Sequence, residues 1–155
     1  MDYTQQPHSE LLAELKENLY EEPATVAQRF LNYLIDILFF YVIIIALSAI
    51  AGLIIGMGFI EGDTLFGMSV MLEYLLIYSV FVAMYAFFET VARGRTIGKM
   101  VTKTRAIKTD GSPLTFNDAL KRSLIRIVPF EPFTAFGGNP WHDKWTGTKV
   151  IKDVN

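Results

Sequence analysis

Residues 29–60 read RFLNYLIDILFFYVIIIALSAIAGLIIGMGFI, and the only charges in that stretch are Arg29 at its mouth and Asp36 seven positions later. From Ile37 to Ile60 about two dozen residues pass without a charge, enough at about 1.5 Å of rise per residue to cross a hydrocarbon core of roughly 30 Å. The stretch reads as a membrane span. A carboxylate carried into such a segment costs about 3 kcal/mol even on lenient insertion scales, so it faces protein or a wet cavity. Asp36 is therefore expected to have a partner.

Working outward, a second apolar segment runs from about Phe66 to Phe88 and is charged only at Glu73. The spans expected are about 30–58 and 67–88. Tyr74, Tyr78, Phe81 and Tyr85 recur at helical spacing in the second and are expected to pack against the first span or lipid. Gly52 and Gly56 have the small-xxx-small spacing that lets two helices approach closely, or they mark the frayed end of the span. After Glu89 come Arg93, Arg95, Lys99, Lys103, Arg105 and Lys108, whereas the loop between the spans has no Lys or Arg. By the positive-inside rule the basic block and both termini are cytoplasmic, which two crossings satisfy.

At 155 residues and 52% hydrophobic content, the chain has the length and apolarity of one small membrane unit. A net charge of −2 argues against nucleic acid as a partner. The absence of cysteine excludes disulfides, a thiolate nucleophile and cysteine metal sites, and only His8 and His142 can supply imidazole. The first 28 residues are acidic and polar, unlike the basic start of a cleaved signal peptide, so the first span is expected to be retained. Residues 1–24 suggest an acidic amphipathic helix, capped by Ser9, with Leu11, Leu12, Leu15 and Leu19 on one face.

The remainder, 25–155, reads as one membrane domain with a cytoplasmic segment 89–155. Within it the tight-turn pair Asp110-Gly111 suggests a hairpin between Met100–Ile107 and Leu114–Phe116. From Asn117 the period becomes helical. Leu120, Leu124, Ile127 and Val128 share one face and Asp118, Lys121, Arg122 and Arg126 another, until Pro129 stops the helix. An interfacial position is expected for this helix, with a third crossing through Phe136 as the alternative. The fold class is thus mainly α: an integral membrane protein with two transmembrane helices, a cytoplasmic amphipathic helix and a small β-hairpin.

On the first span Arg29, Asn32, Tyr33 and Asp36 fall at i, i+3, i+4 and i+7, one helical face extending about 10 Å along the axis. Arg29 and Asp36 are too far apart for an ideal direct pair, so each needs another partner. Near the C-terminus, Trp141-His142-Asp143-Lys144-Trp145 has the tryptophan-flanked character of an interfacial segment. An Arg29–Asp143 salt bridge would staple that segment onto the first span.

These pieces together resemble the RDD family of membrane proteins, named for one arginine and two aspartates. The matching residues are Gln28-Arg29-Phe30 leading to Asp36, Thr96-Ile97-Gly98-Lys99, Asp110-Gly111, and Trp141-His142-Asp143-Lys144 with Thr146-Gly147-Thr148, from about Thr25 to Lys152. The resemblance implies that Arg29, Asp36 and Asp143 are the signature residues of a two-span protein suspected of transporting unidentified ligands. Lys144 stands where relatives carry arginine, which removes a bidentate contact there.

Two functional readings follow. In the first, Asp36, with Glu73 as a second carboxylate, binds a proton or small cation, and Arg29 and Asp143 form an inner gate; two helices enclose no pathway, so a homo-oligomer or larger membrane complex is required. In the second, the three residues form a buried network that holds the fold of an adaptor or assembly subunit. Asn32, Tyr33, Glu73, Lys99 and His142 are secondary candidates. A group of His142, Asp143 and Glu131 has no ligand-spaced histidine pair, and Thr96-Ile97-Gly98-Lys99 lacks the glycine spacing of a phosphate loop. No enzyme activity and no cofactor are expected; the partners are the lipid bilayer of a cell membrane and further protein subunits.

Overall fold

The computed structural model describes residues 22–61, 69–138 and 140–153. The amphipathic helix expected within 1–24 lies outside the described residues but for its last three positions, and the loop between the spans does so beyond Glu61.

Helix α1, Val26–Gly56, opens on a reciprocal cap: the Thr25 hydroxyl accepts from the Gln28 amide at 3.2 Å, and the Gln28 side chain accepts from the Thr25 amide at 3.0 Å. At 31 residues it is about 46 Å long, more than a hydrocarbon core needs, so its polar first turns extend past the apolar run. Helix α2, Val70–Val91, starts at Ser69, which caps the Leu72 amide. Both are long and apolar enough to cross a membrane, and only 6% and 17% of their apolar windows are buried within the chain. A soluble core helix would be mostly buried; these present Ile45, Leu53, Met71 and Leu75 outward, as lipid-facing helices do.

The two spans meet through Phe40, Met84 and Tyr85, flanked by Phe39, Ile44 and Phe81. Phe40 and Phe81 pack edge to face at 5.3 Å, and Phe39 and Phe88 at 5.6 Å. The aromatic stripe of α2 is thus divided: Phe81 and Tyr85 pack against α1, while Tyr74 and Tyr78 are exposed. Among the described residues nothing lies within contact of an added Cβ at Gly52 or Gly56, so no described helix packs on that spacing.

Beyond α2 the chain folds into a polar cap at one end of the spans. Arg93 and Gly94 turn it with positive φ, and the Gly94 carbonyl accepts from Ala106 at 2.8 Å. Helix α3, Ile97–Val101, follows with Thr96 as its cap. Strand β1, Thr104–Lys108, pairs antiparallel with β2, Thr148–Lys152, and Pro23 bridges to Ile151 on the other side of β2.

The antiparallel pair expected from the sequence is present, but its second strand is β2 and not Leu114–Phe116. The Asp110-Gly111 turn does form, with Gly111 donating to the Lys108 carbonyl at 3.0 Å. Thr115 and Asp118 then make a reciprocal helix cap that starts α4, Phe116–Ile125, where a returning strand was expected. Met100 likewise belongs to α3. Ten residues of helix span about 15 Å, so 117–136 does not form a third membrane-crossing helix. A turn at Val128–Phe130 leads into α5, Glu131–Thr134, a 3₁₀ turn, Ala135–Gly137, and α6, Trp141–Thr146.

A buried charge network as the candidate functional site

The cap is fastened to the spans by ionic side chains that are almost wholly buried. Arg29 Nη1 lies 2.6 Å from Asp143 Oδ2, and the rest of its guanidinium donates to the Ala24 and Val150 carbonyls. The other Asp143 oxygen lies 2.6 Å from Arg122 Nη1. Arg122 turns its Nε to Glu89 at 2.9 Å, and Glu89 also receives Lys99 Nζ at 2.6 Å and Arg126 Nη2 at 3.2 Å. One continuous chain of ion pairs thus runs from the start of α1, through α6 and α4, to the end of α2 and to α3.

Burial makes this arrangement depend on its pairing, because an ion out of water needs both an opposite charge and filled hydrogen-bond positions. The two guanidinium groups on Asp143 hold its carboxyl below the usual carboxylate range against the opposing effect of burial. Burial pulls Lys99 down to about 8, helped by Arg122 and Arg126 and resisted by Glu89. Arg126 also lies over the Tyr85 ring, 4.6 Å from its centroid.

Asp36 has a different environment. Its Oδ2 accepts from the Thr96 hydroxyl and its Oδ1 from the Gly98 amide, both at 2.7 Å. The partners of this carboxylate are neutral donors at the first turn of α3. Gly98 is there because the backbones touch: a Cβ at that position would overlap the Asn32 carbonyl. Asn32 sits between the Thr102 and Thr104 hydroxyls. The amide orientation that satisfies every neighbour turns its nitrogen to Thr102 and to the Gly98 carbonyl at 3.1 Å, and its oxygen to Thr104 at 3.0 Å.

Glu131 and His142 pair through Oε1 and Nδ1, and the His142 amide also points at that oxygen at 3.4 Å. Burial, with Arg126, Arg122, Lys99 and Arg29 nearby, holds His142 well below its ordinary pKa, so the ring is neutral; its Nδ1 faces Glu131 and its Nε2 lies 3.5 Å from Asp143 Oδ1. Burial raises the Glu131 carboxyl, with Arg126 opposing.

Between this pair and Asp36 lies a cavity of about 50 Å³, walled on its polar side by Asn32, Tyr33, Asp36, Lys99, Arg126, Glu131 and His142. That volume holds a few water molecules. Arg126, one of the lining residues, has its Nε buried without a protein partner among the described residues. No group of three or more His, Asp or Glu side chains suited to a metal occurs among the described residues.

The structure therefore brings Arg29, Asp143, Asn32, Asp36, Lys99, His142 and Tyr33 to one end of the spans. Glu73 is not among them: it is exposed in the first turn of α2, at the far end from Asp36. Sequence reasoning missed Glu89, Arg122 and Arg126, which carry the centre of the network. Arg122 and Arg126 stand four apart on an amphipathic helix and look like a solvated basic face; only Glu89, a carboxylate at the end of an apolar span, offered a signal.

A comparison with curated proteins and with solved structures gives no match. Residues 23–151 match the RDD family, a range that takes in both spans and the cap with all three signature residues. A membrane protein with two apolar helices, its arginine at the start of the first, one aspartate inside it and another on the cap, the chain belongs to the RDD family.

Proposed function

We propose that this chain is a structural module of a larger membrane assembly, in which the Arg–Asp–Asp residues hold a rigid cap on two spans. The observation that carries this reading is the direct joining of Arg29 to Asp143 inside a network that also holds Glu89, Lys99, Arg122 and Arg126. Every carboxylate in that chain of pairs is already engaged by cations of the same protein. Beyond Asp36 the chain has no charged residue through the end of α1 and on to Ile60, and α2 has only Glu73 before Glu89. Long apolar faces on both spans remain available to lipid or to other helices, which suits an adaptor or a homo-oligomer. With the basic block on its side, the cap is cytoplasmic and the module resides in the cell membrane. It is not an enzyme, and it uses no cofactor.

One observation favours the alternative of permeation by an oligomer: a small cavity, polar on one side, lies against Asp36. Purified protein in liposomes separates the two. Proton and small-cation flux is measured for wild type and Asp36→Asn, with oligomeric state followed in parallel. The module reading expects no flux from well-assembled wild type. Flux that disappears in an intact, correctly assembled Asp36→Asn protein establishes permeation instead.

A further inference from the structure

We infer that residues 124–136 form a wedge that enters the cap-side leaflet of the bilayer, with the acyl chains of that leaflet as its partner. The direction of α4 is the first indication. Arg122 pairs with Glu89, and one turn later Arg126 lies on Tyr85, so α4 runs back along α2 toward the membrane interior. The first half of α4 exposes Asn117 and Lys121 beside Phe116, a mixed polar and aromatic surface suited to the headgroup region.

The second indication is an inverted polarity. Between Leu124 and Phe136 the exposed residues are Leu124, Pro129, Phe130, Phe133 and Phe136, all apolar. Phe130, Phe133 and Phe136 are 74%, 67% and 58% exposed. The two charged residues of the same stretch point inward: Arg126 to Glu89, and Glu131, 2% exposed, to His142. Water-facing turns carry their charges outward; a segment with charges inside and phenyl rings outside is built for hydrocarbon.

The third is continuity with surface that already faces lipid. Phe136 touches Phe30 of α1 at 5.9 Å, and Phe30 is itself about half exposed. On the other side an open apolar groove of about 610 Å³ lies between α2 and α4, walled by Leu75, Val82 and Phe87 against Leu120, Leu124 and Ile127. Acyl chains fill that groove and cover the phenyl edge. The left-handed φ of Phe130, +69°, marks the tip where the chain reverses without crossing.

The chain has no cysteine, so single-cysteine variants report position directly. Phe130→Cys and Phe133→Cys, with Asp110→Cys and Lys121→Cys as controls, are labelled with an environment-sensitive fluorophore in phosphatidylcholine–phosphatidylglycerol vesicles. Nitroxide on the acyl chains is expected to quench positions 130 and 133 and iodide to leave them untouched, with the opposite at 110 and 121. An impermeant maleimide is expected to label Asp110→Cys and Lys144→Cys from the same face. Iodide quenching at 130 equal to that at 110 overturns the inference by placing the tip in water. Shielding from both quenchers overturns it in favour of a protein partner, and labelling of 110 and 144 from opposite faces overturns it in favour of a crossing. The side chain at 130 is 74% exposed and the thiol removes little packing there, so this variant reports even where the Phe133 substitution unsettles the Phe136 ring.

Discussion

Replacing Glu89 by glutamine is the perturbation that reads the network most directly. The carboxylate is fully buried and receives Lys99 at 2.6 Å, Arg122 at 2.9 Å and Arg126 at 3.2 Å. Glutamine keeps the shape and removes the charge, leaving three cations around a neutral amide. Lys99, already pulled down to about 8, relaxes by losing its proton; the two guanidiniums do not. Breaking a buried pair costs about 3–5 kcal/mol, and with Arg126 losing its carboxylate while Arg122 keeps only Asp143 the loss falls at the upper end. Arg122→Met is milder, at about 3 kcal/mol, because Glu89 keeps Lys99 and Arg126 while Asp143 keeps Arg29. The assay is reversible unfolding in mixed detergent micelles by SDS titration, with limited trypsin cleavage at Lys121 as a probe of cap detachment. A Glu89→Gln loss smaller than that of Arg122→Met, or below about 1 kcal/mol, refutes the account, since that is the value of an exposed pair.

Asp143→Asn and Arg29→Leu are expected to be less damaging together than the sum of the two separate losses, by about 1–3 kcal/mol, and additive losses in the same SDS titration would deny direct coupling. Gly98→Ala places a methyl against the Asn32 backbone and is expected to cost about 1–3 kcal/mol and to loosen α3 from α1, seen as faster hydrogen exchange at Gly98–Val101; unchanged exchange refutes the contact. The pH dependence has a defined sign. His142 is neutral in the folded protein and titrates near 6.5 when unfolded, so the unfolded chain binds the extra proton and stability falls as pH drops below about 6.5, by up to about 1.4 kcal/mol per unit. Glu131, raised by burial, opposes this because the folded state takes up its proton first. Glu131→Gln is therefore expected to steepen the acid loss, and an unchanged slope in a thermal scan series refutes the assignment.

The electrostatics of the site explain how far each signature residue could be understood alone. Asp36 looked like an unpaired intramembrane carboxylate, and its requirement for a partner followed from the cost of burying charge. That its partners are a hydroxyl and a backbone amide depends on α3 docking over Asn32, which no spacing in the chain encodes. Arg29 and Asp143 stand 114 positions apart, and their meeting rests on β2 pairing with β1 and bridging to Pro23. Leu114–Phe116 failed as a strand because a local helix cap at Thr115 competes with pairing across the Asp110-Gly111 turn.

What the sequence determined by itself is what one-dimensional physics decides: two uncharged runs long enough for a bilayer, the asymmetry of basic residues around them, and the helical face that aligns Arg29, Asn32, Tyr33 and Asp36. Those depend on segment length, local periodicity and the cost of moving charge out of water. Only the tertiary structure decided which charges are buried together. Arg122 and Arg126 read as a solvated face until α4 is laid against the end of α2, where Glu89 turns them inward and the phenyl rings of the following turn outward. Pairing of that kind is a property of neighbours in space, and residues 33 and 37 positions apart become neighbours only when the cap closes on the spans.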